Sequence, residues 1–297
     1  FIVIMKIILI TGGAGFIASN LIKLLIQKKE IKKIYSLDDY STGKKINHIK
    51  SKKIQYLKGS TLKINSNKIL AKKKFDTIFH LAEFSRIVPS FVHFNKCWKS
   101  NTIGTFEVLK FCLKNNAKLI YSASSSTLGK NKNLSPYSWT KYSNNELIKN
   151  FAEWFGLKYV ILYYYNVYGM NQIQSGHMAA VIGVFEQQYL LNKPLTIVRP
   201  GTQKRDFTHV QDIVLGTFLA AKKAVNDEFH IGCGKNYSIK EVAQLFNHPF
   251  RMIEERPGER FYGLSKTRKA RRVLGYIPKH NLKTYIKDFI KTSKRKN

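Results

Sequence analysis

Acidic residues are scarce in this chain. Against 51 Lys and Arg there are only 18 Asp and Glu in 297 residues, a formal charge of +33. An excess of that size ordinarily marks a nucleic-acid surface. Here, however, the basic residues fall as pairs and triplets (Lys28-Lys29, Lys32-Lys33, Lys72 to Lys74, Lys222-Lys223) at helix ends and loops, among abundant Ile and Asn. That scatter reads as solvated faces in a chain of biased composition, so no nucleic acid is expected as a partner. Cysteine is scarce as well. Cys97, Cys112 and Cys233 are odd in number and lack metal or redox spacing, which fits free thiols in a reducing cytoplasm. The 8 His form no zinc pattern, so no metal is expected. No apolar run approaches the roughly 20 residues that span a bilayer, and Ile2 to Ile10 is interrupted by Lys6, so no membrane association is expected. Internal repeats and low-complexity linkers are also lacking. With 44% hydrophobic residues the chain can bury a full core. Met5 opens a conventional strand, and Phe1 to Ile4 read as an upstream extension outside the design.

Two of the few carboxylates stand where they carry chemistry. An apolar run, Ile7 to Ile10, breaks into Thr11-Gly12-Gly13-Ala14-Gly15-Phe16-Ile17-Ala18, passes into a helical pattern through Leu21, Leu24 and Leu25, and is followed by a strand ending at Asp38 and Asp39. Strand, glycines, helix and acid in that order form a dinucleotide fingerprint. Gly12 permits the tight turn and Gly15 lets backbone approach a pyrophosphate. Phe16 and Ile17 open the helix whose free N–H groups and dipole favour that anion. A carboxylate at Asp38 suits ribose hydroxyls and repels a 2′-phosphate, which predicts NAD and not NADP, with Lys44 and Lys45 nearby on the other side of the balance.

Strand and helix signals then alternate as a doubly wound parallel α/β sheet requires, with strands expected at Ile4 to Ile10, Lys33 to Leu37, Ile54 to Leu57, Asp76 to Leu81, Lys118 to Ser122 and Tyr159 to Tyr163. The alternation loosens after Gly169. It gives way to a helix over Ala179 to Leu191, a strand near Leu195, a helix from Val210 and a basic tail. The expected division is therefore a Rossmann-type domain over 1–168 and a smaller, partly interleaved substrate-binding region over 169–297.

A second constellation follows the fifth strand. Tyr121-Ser122-Ala123-Ser124-Ser125-Ser126 ends it, and Ser135-Pro136-Tyr137-Ser138-Trp139-Thr140-Lys141 opens a helix with Ser135 as N-cap and Pro136 in its first turn. Tyr137 and Lys141, four apart, share a helix face. The same spacing recurs at Tyr40/Lys44, Tyr189/Lys193 and Tyr262/Lys266, but only Tyr137 lies on a helix downstream of a serine-bearing strand end. A phenol with an ordinary pKa near 10 serves as a base near neutrality when an ammonium stands beside it, and Ser124 can relay a substrate proton toward it.

With these residues in place, the chain resembles the extended short-chain dehydrogenases/reductases, and among them the NAD-dependent nucleotide-sugar epimerases of the UDP-glucose 4-epimerase type. The likeness covers about Met5 to Thr284. It is carried by His80-Leu81-Ala82 with Ser90, Asn101-Thr102-Ile103-Gly104-Thr105, Asn166-Val167-Tyr168-Gly169, Arg205-Asp206-Phe207-Thr208-His209-Val210 with Asp212, and Arg256-Pro257-Gly258-Glu259. The resemblance implies that Leu81, Ala82, Asn101 and Asp39 line the NAD side, that Lys141 holds the nicotinamide ribose, and that Ser85, Asn166, Arg205 and Arg256 meet a UDP-sugar. It further implies C4 inversion through a transient 4-keto sugar with Ser124, Tyr137 and Lys141 as catalytic residues, and a cytoplasmic homodimer formed by helices near Thr102 to Lys114 and Pro136 to Phe155. A 4,6-dehydratase would need an Asp-Glu pair where Ser125 and Ser126 stand. A 4-ketoreductase fits the same residues, and so does a nucleotide-binding scaffold without turnover. The residue seven beyond Arg256, Gly263, lines the pocket beside the sugar C2 substituent in that family, and its small size implies room for an N-acetyl group.

Four positions depart from the family pattern. Ala18 replaces the third glycine, and Ser60 stands where an Asp is usual. Glu83 occupies a normally small position beside the expected pyrophosphate, where a carboxylate must turn away. Only five residues separate Gly129 from Ser135, where relatives carry a much longer loop.

Overall fold

β-Branched and aromatic runs flanked by glycine and lysine build the first strands, β1 (Ile7–Thr11), β2 (Lys33–Asp38), β3 (Ile54–Lys58), β4 (Thr77–His80), β5 (Lys118–Ser124) and β6 (Tyr159–Tyr164). The computed structural model describes residues 5–294, so Phe1 to Ile4, including the start expected for the first strand, lie outside the described residues. A seventh strand, Asp227–Ile231, adds beside β6 and completes a sheet whose neighbouring strands all pair in parallel. This strand alternates polar Glu228 and His230 with buried Phe229 and Ile231, a pattern only four residues long, and its polar residues sit at the sheet edge.

From β1 the chain runs outward through β2 and β3. It then returns to the other side of β1 and runs outward again through β4, β5, β6 and the seventh strand. The reversal between β1 and β4 opens a crevice at their carboxyl ends, the place where an open α/β sheet receives ligands. β1 ends at Thr11 and β4 at His80, paired in register.

Both faces of the sheet are covered, so β1 is apolar from Ile7 to Ile10. Ile8 and Ile10 face α1 (Phe16–Leu25), while Leu9 faces the opposite layer, as alternation along a strand dictates. Beyond β4 the chain forms two short helices, α2 (Ile87–Val92) and α3 (Phe94–Trp98), then α4 (Gly104–Asn115) and the long α5 (Pro136–Phe155). Val108, Leu109 and Phe111 of α4 and Ile148 and Phe151 of α5 pack on the face that carries Leu9, Ile78 and Leu119. The later helices are α6 (Val181–Leu190), α7 (Val210–Lys223), α8 (Ile239–Leu245), α9 (Arg268–Leu274) and α10 (Leu282–Lys294). α7 packs beside α1, so this part of the later half belongs to the sheet layers. A smaller cluster of Tyr168, Phe185, Leu195, Ile197, Val242, Phe246 and Ile286 forms the remaining C-terminal layer.

α5 begins where its sequence directs. The Ser135 side chain accepts from the Ser138 N–H at 3.0 Å, Pro136 fills the first turn, and Gly156 ends the helix at φ +71°. Among the described residues no helix is long and apolar enough to cross a membrane, and no group of three or more His, Cys, Asp or Glu side chains is arranged to hold a metal.

Candidate functional site

The glycine turn sits in the crevice. Gly12 has φ +75°, and a side-chain carbon there would lie 2.9 Å from the Ala82 backbone nitrogen, so only glycine lets β1 and the loop after β4 approach this closely. Gly12 donates to the Leu37 carbonyl at 2.8 Å, and Gly15, extended, precedes α1 with no side-chain cap. The first turn of α1, at Phe16 and Ile17, therefore keeps N–H groups for an anion. Leu81 and Ala82 both donate to the Thr11 hydroxyl at 3.2 Å, which fixes the opposite wall.

Asp38 is buried, and its two oxygens accept from the Ala14 N–H at 2.9 Å and the Tyr40 N–H at 2.7 Å. Burial raises its carboxyl above the ordinary value, and those two hydrogen bonds oppose the rise. Asp39 is exposed and accepts from the Ser41 N–H at 2.8 Å. Ser60 caps its own turn by accepting from the Leu62 N–H at 3.3 Å.

Ser124 at the end of β5, Tyr137 in the first turn of α5 and Lys141 one turn later flank the same crevice. Ser124 accepts from the Ser126 hydroxyl at 2.9 Å, and the Tyr137 N–H donates to buried Ser90 at 3.2 Å. The Tyr137 ring packs with Phe84, Cys97 and Met178. Asn101 is fully buried, accepting from the Phe84 N–H at 2.7 Å and donating to the Phe84 carbonyl at 3.1 Å. It thus braces the loop after β4 from behind and does not project into the crevice.

Glu83 turns inward from the pyrophosphate side. Its side chain is 2% exposed and pairs directly with the Lys141 ammonium, itself 4% exposed, which also donates to the Ser122 carbonyl. The other carboxylate oxygen accepts from Tyr121 at 2.9 Å, Asn144 at 3.0 Å and Thr105 at 3.1 Å. Two of the three ammonium donors are thus engaged, the ammonium lies 4.7 Å from the centre of the Tyr121 ring, and one donor has no hydrogen-bond acceptor among the described residues. His80 stands behind this network with its ring nitrogens 2.7 Å from the Thr11 hydroxyl and 3.0 Å from that of Thr105; burial lowers its pKa to about 4, so it is neutral at pH 7.

Across from these groups, Arg205 is buried and paired with Glu259, and burial brings its guanidinium down to about 10 against the pull of that carboxylate. Asn166 donates to the Asp206 carbonyl at 3.2 Å. Ser85 and Arg256 are exposed at the rim. Sequence reasoning passed over Arg260, four residues on, because it lies in a tail full of basic residues. It is 7% exposed and donates to the Ser125 hydroxyl at 3.1 Å. A side-chain carbon added at Gly263 would lie 3.2 Å from Nη2 of Arg260, so the space beside Gly263 is bounded by a guanidinium. The short segment Gly129–Asn133 forms a single helical turn, with no residue of it buried.

The close approach at Gly12, the uncapped start of α1 and the carboxylate at the end of β2 together fit a bound dinucleotide. The model of the NAD dependent epimerase/dehydratase family matches residues 8–232. A Methanocaldococcus jannaschii protein provisionally named UDP-glucose 4-epimerase is 30% identical over 98% of this chain and 99% of its own length. Among solved structures, the Thermotoga maritima UDP-glucose 4-epimerase with UDP-glucose is similar at a TM-score of 0.89 and 27% identity, covering 98% of this chain and 99% of that one. The Bacillus cereus UDP-glucuronic acid 4-epimerase with UDP-glucuronic acid and NAD is similar at 0.87 and 25%, covering 98% and 100%.

Because the Glu83–Lys141 pair is desolvated, removing one partner leaves a bare buried charge. Glu83→Leu is expected to lower unfolding stability by about 3–5 kcal/mol, whereas Glu83→Leu with Lys141→Met recovers most of the loss. Urea denaturation of the two variants measures this, and a double variant no more stable than the single one would contradict it.

Proposed function

The chain belongs to the NAD dependent epimerase/dehydratase family, and we propose that it inverts C4 of a UDP-hexose or UDP-N-acetylhexosamine through a transient 4-keto sugar. What supports this reading is that Ser124 ends β5, Lys141 donates to the Ser122 carbonyl of the same strand, and Tyr137 lies one helical turn before Lys141, all at the carboxyl end of the sheet that also carries the glycine turn. NAD is the cofactor, and when bound it supplies a reversible hydride acceptor. Gly12, Gly15 and the start of α1 would hold its pyrophosphate, and Asp38 its adenosine ribose. The free donor of Lys141 would meet the other ribose.

Tyr137 takes the proton of the sugar 4-hydroxyl, directly or through Ser124, as C4 is oxidised. After the ketose turns in the pocket, Tyr137 returns that proton as C4 is reduced from the other face. Arg205, Arg256 and Asn166 would hold the UDP half, since cationic forks suit a diphosphate. Ser125 and Ser126 offer no acid and base for eliminating water, which argues against a dehydratase. The homodimer reading is supported by Phe106 on α4 and by Trp139, Trp154 and Phe155 on α5, each at least 40% exposed.

One observation favours a second reading. Lys141 is already paired with Glu83, which offsets the positive charge one helical turn from Tyr137, as expected of a nucleotide-binding scaffold with little turnover.

Incubation of purified protein with UDP-glucose and UDP-N-acetylglucosamine, without added cofactor, is expected to yield the C4 epimers by NMR. Absence of epimer from every UDP-sugar tried would favour the scaffold. Tyr137→Phe is expected to lower kcat by about a hundredfold or more, with Tyr189→Phe as an unaffected control; near wild-type turnover in Tyr137→Phe refutes its role as base. NAD is expected to bind at least about tenfold more tightly than NADP by calorimetry, and Asp38→Ala to narrow that gap. Equal wild-type affinities would refute the role of Asp38. Sedimentation equilibrium is expected to give twice the chain mass, and a monomer at tens of micromolar removes the dimer reading.

A further inference from the structure

We propose that Arg260 is an anion receptor inside the sugar pocket, and that the sugar half of the substrate carries a carboxylate, as in a UDP-hexuronate. The inference rests on the UDP-sugar reading above and amends its sugar half, from a plain or N-acetylated hexose to a uronic acid. A guanidinium offers five N–H donors in a fixed fork and is effectively always charged. Of these, Arg260 uses Nη1 toward the Ser125 hydroxyl. Nε is buried without an acceptor, and Nη2 makes no hydrogen bond among the described residues. With Nε sealed away from solvent, Nη2 is the donor left for a ligand, and it can give a carboxylate one charge-assisted hydrogen bond.

No carboxylate of the described residues forms an ion pair with Arg260; Glu259, next to it in sequence, is engaged by Arg205. A cation removed from water without a counter-charge is costly, so its retention points to a partner that arrives with the ligand. Position identifies the part of the ligand. Arg260 is held at the end of β5, against Ser125 and close to the phenols of Tyr137 and Tyr165, with Gly263 at its other side. Gly258, at φ +73° and pressed against Ile87 and the Leu134 carbonyl, holds the loop in that place. This is the end where the reading above places C4 of the sugar, whereas the diphosphate falls to Arg205 and Arg256. The Ser125 hydroxyl accepts from Arg260 and so directs its own hydrogen away, where it can donate to the same carboxylate.

Calorimetry on the NAD-containing protein with UDP, UDP-glucose and UDP-glucuronate tests this. Wild-type protein is expected to bind UDP-glucuronate at least about tenfold more tightly than UDP-glucose, the scale of one charge-assisted hydrogen bond. Arg260→Met is expected to bring the two to near parity while UDP affinity stays within about twofold. Equal or weaker binding of the uronate by the wild-type protein overturns the proposal, and needs no variant to fold. Loss of UDP itself in Arg260→Met also overturns it, by assigning the guanidinium to the diphosphate. If none of the three ligands binds, the UDP-sugar reading fails along with this one, whereas binding of UDP-glucose with no uronate preference removes only the inference.

Discussion

The ammonium of Lys141 stands where β4, β5, α4 and α5 meet, and a buried cation needs a counter-charge. Glu83 supplies it from the loop after β4. Because Tyr121, Asn144 and Thr105 fill the remaining acceptor sites of that carboxylate, the pair fixes the spacing between strand ends and helices as well as its own charges. A buried ion pair adds little net stability by itself. Its effect is geometric: two hydrogen bonds and the face of the Tyr121 ring orient the lysine. The same contact moderates the positive charge near Tyr137, so positioning and activation pull in opposite directions at one residue.

The crevice exists because the chain reverses direction between β1 and β4. One wall is nearly all backbone. Gly12 touches the Ala82 backbone, α1 leaves its first N–H groups without a side-chain cap, and Asp38 holds the turn through the Ala14 N–H. Opposite it, in the proposed reading, stand long side chains carried by later segments, Arg205 and Arg260 among them. A wall of backbone suits a cofactor of constant shape. A wall of side chains can be altered one residue at a time, and it is there, at Arg260 and Gly263, that this chain shows its own chemistry.

The glycine turn, the serine-bearing strand end and the capped start of α5 were legible because each is a local pattern whose physics acts over a few residues. Ser135, Pro136, Tyr137 and Lys141 lie within seven positions, and helix periodicity alone puts the last two on one face. The seventh strand was not legible. Its alternation of Glu228 and His230 with Phe229 and Ile231 is too short to stand out, and it forms because the edge of β6 is there to pair with. Glu83 was visible as an anomaly, but its partner lies 58 residues away. Arg260 was hidden by composition: in a chain with 51 basic residues, one more arginine carries no signal until its burial is seen.

By itself, then, the sequence determined the alternating strands and helices, the sharp turn that only glycine can make at position 12, and the helix that carries Tyr137 and Lys141, since all of these follow from backbone sterics, capping and periodicity. Tertiary structure alone decided which charges meet. Lys141 with Glu83, Arg205 with Glu259, and Arg260 with no carboxylate among the described residues follow from loops brought together by the sheet order, and the cost of burying a charge depends on surroundings that no local pattern records.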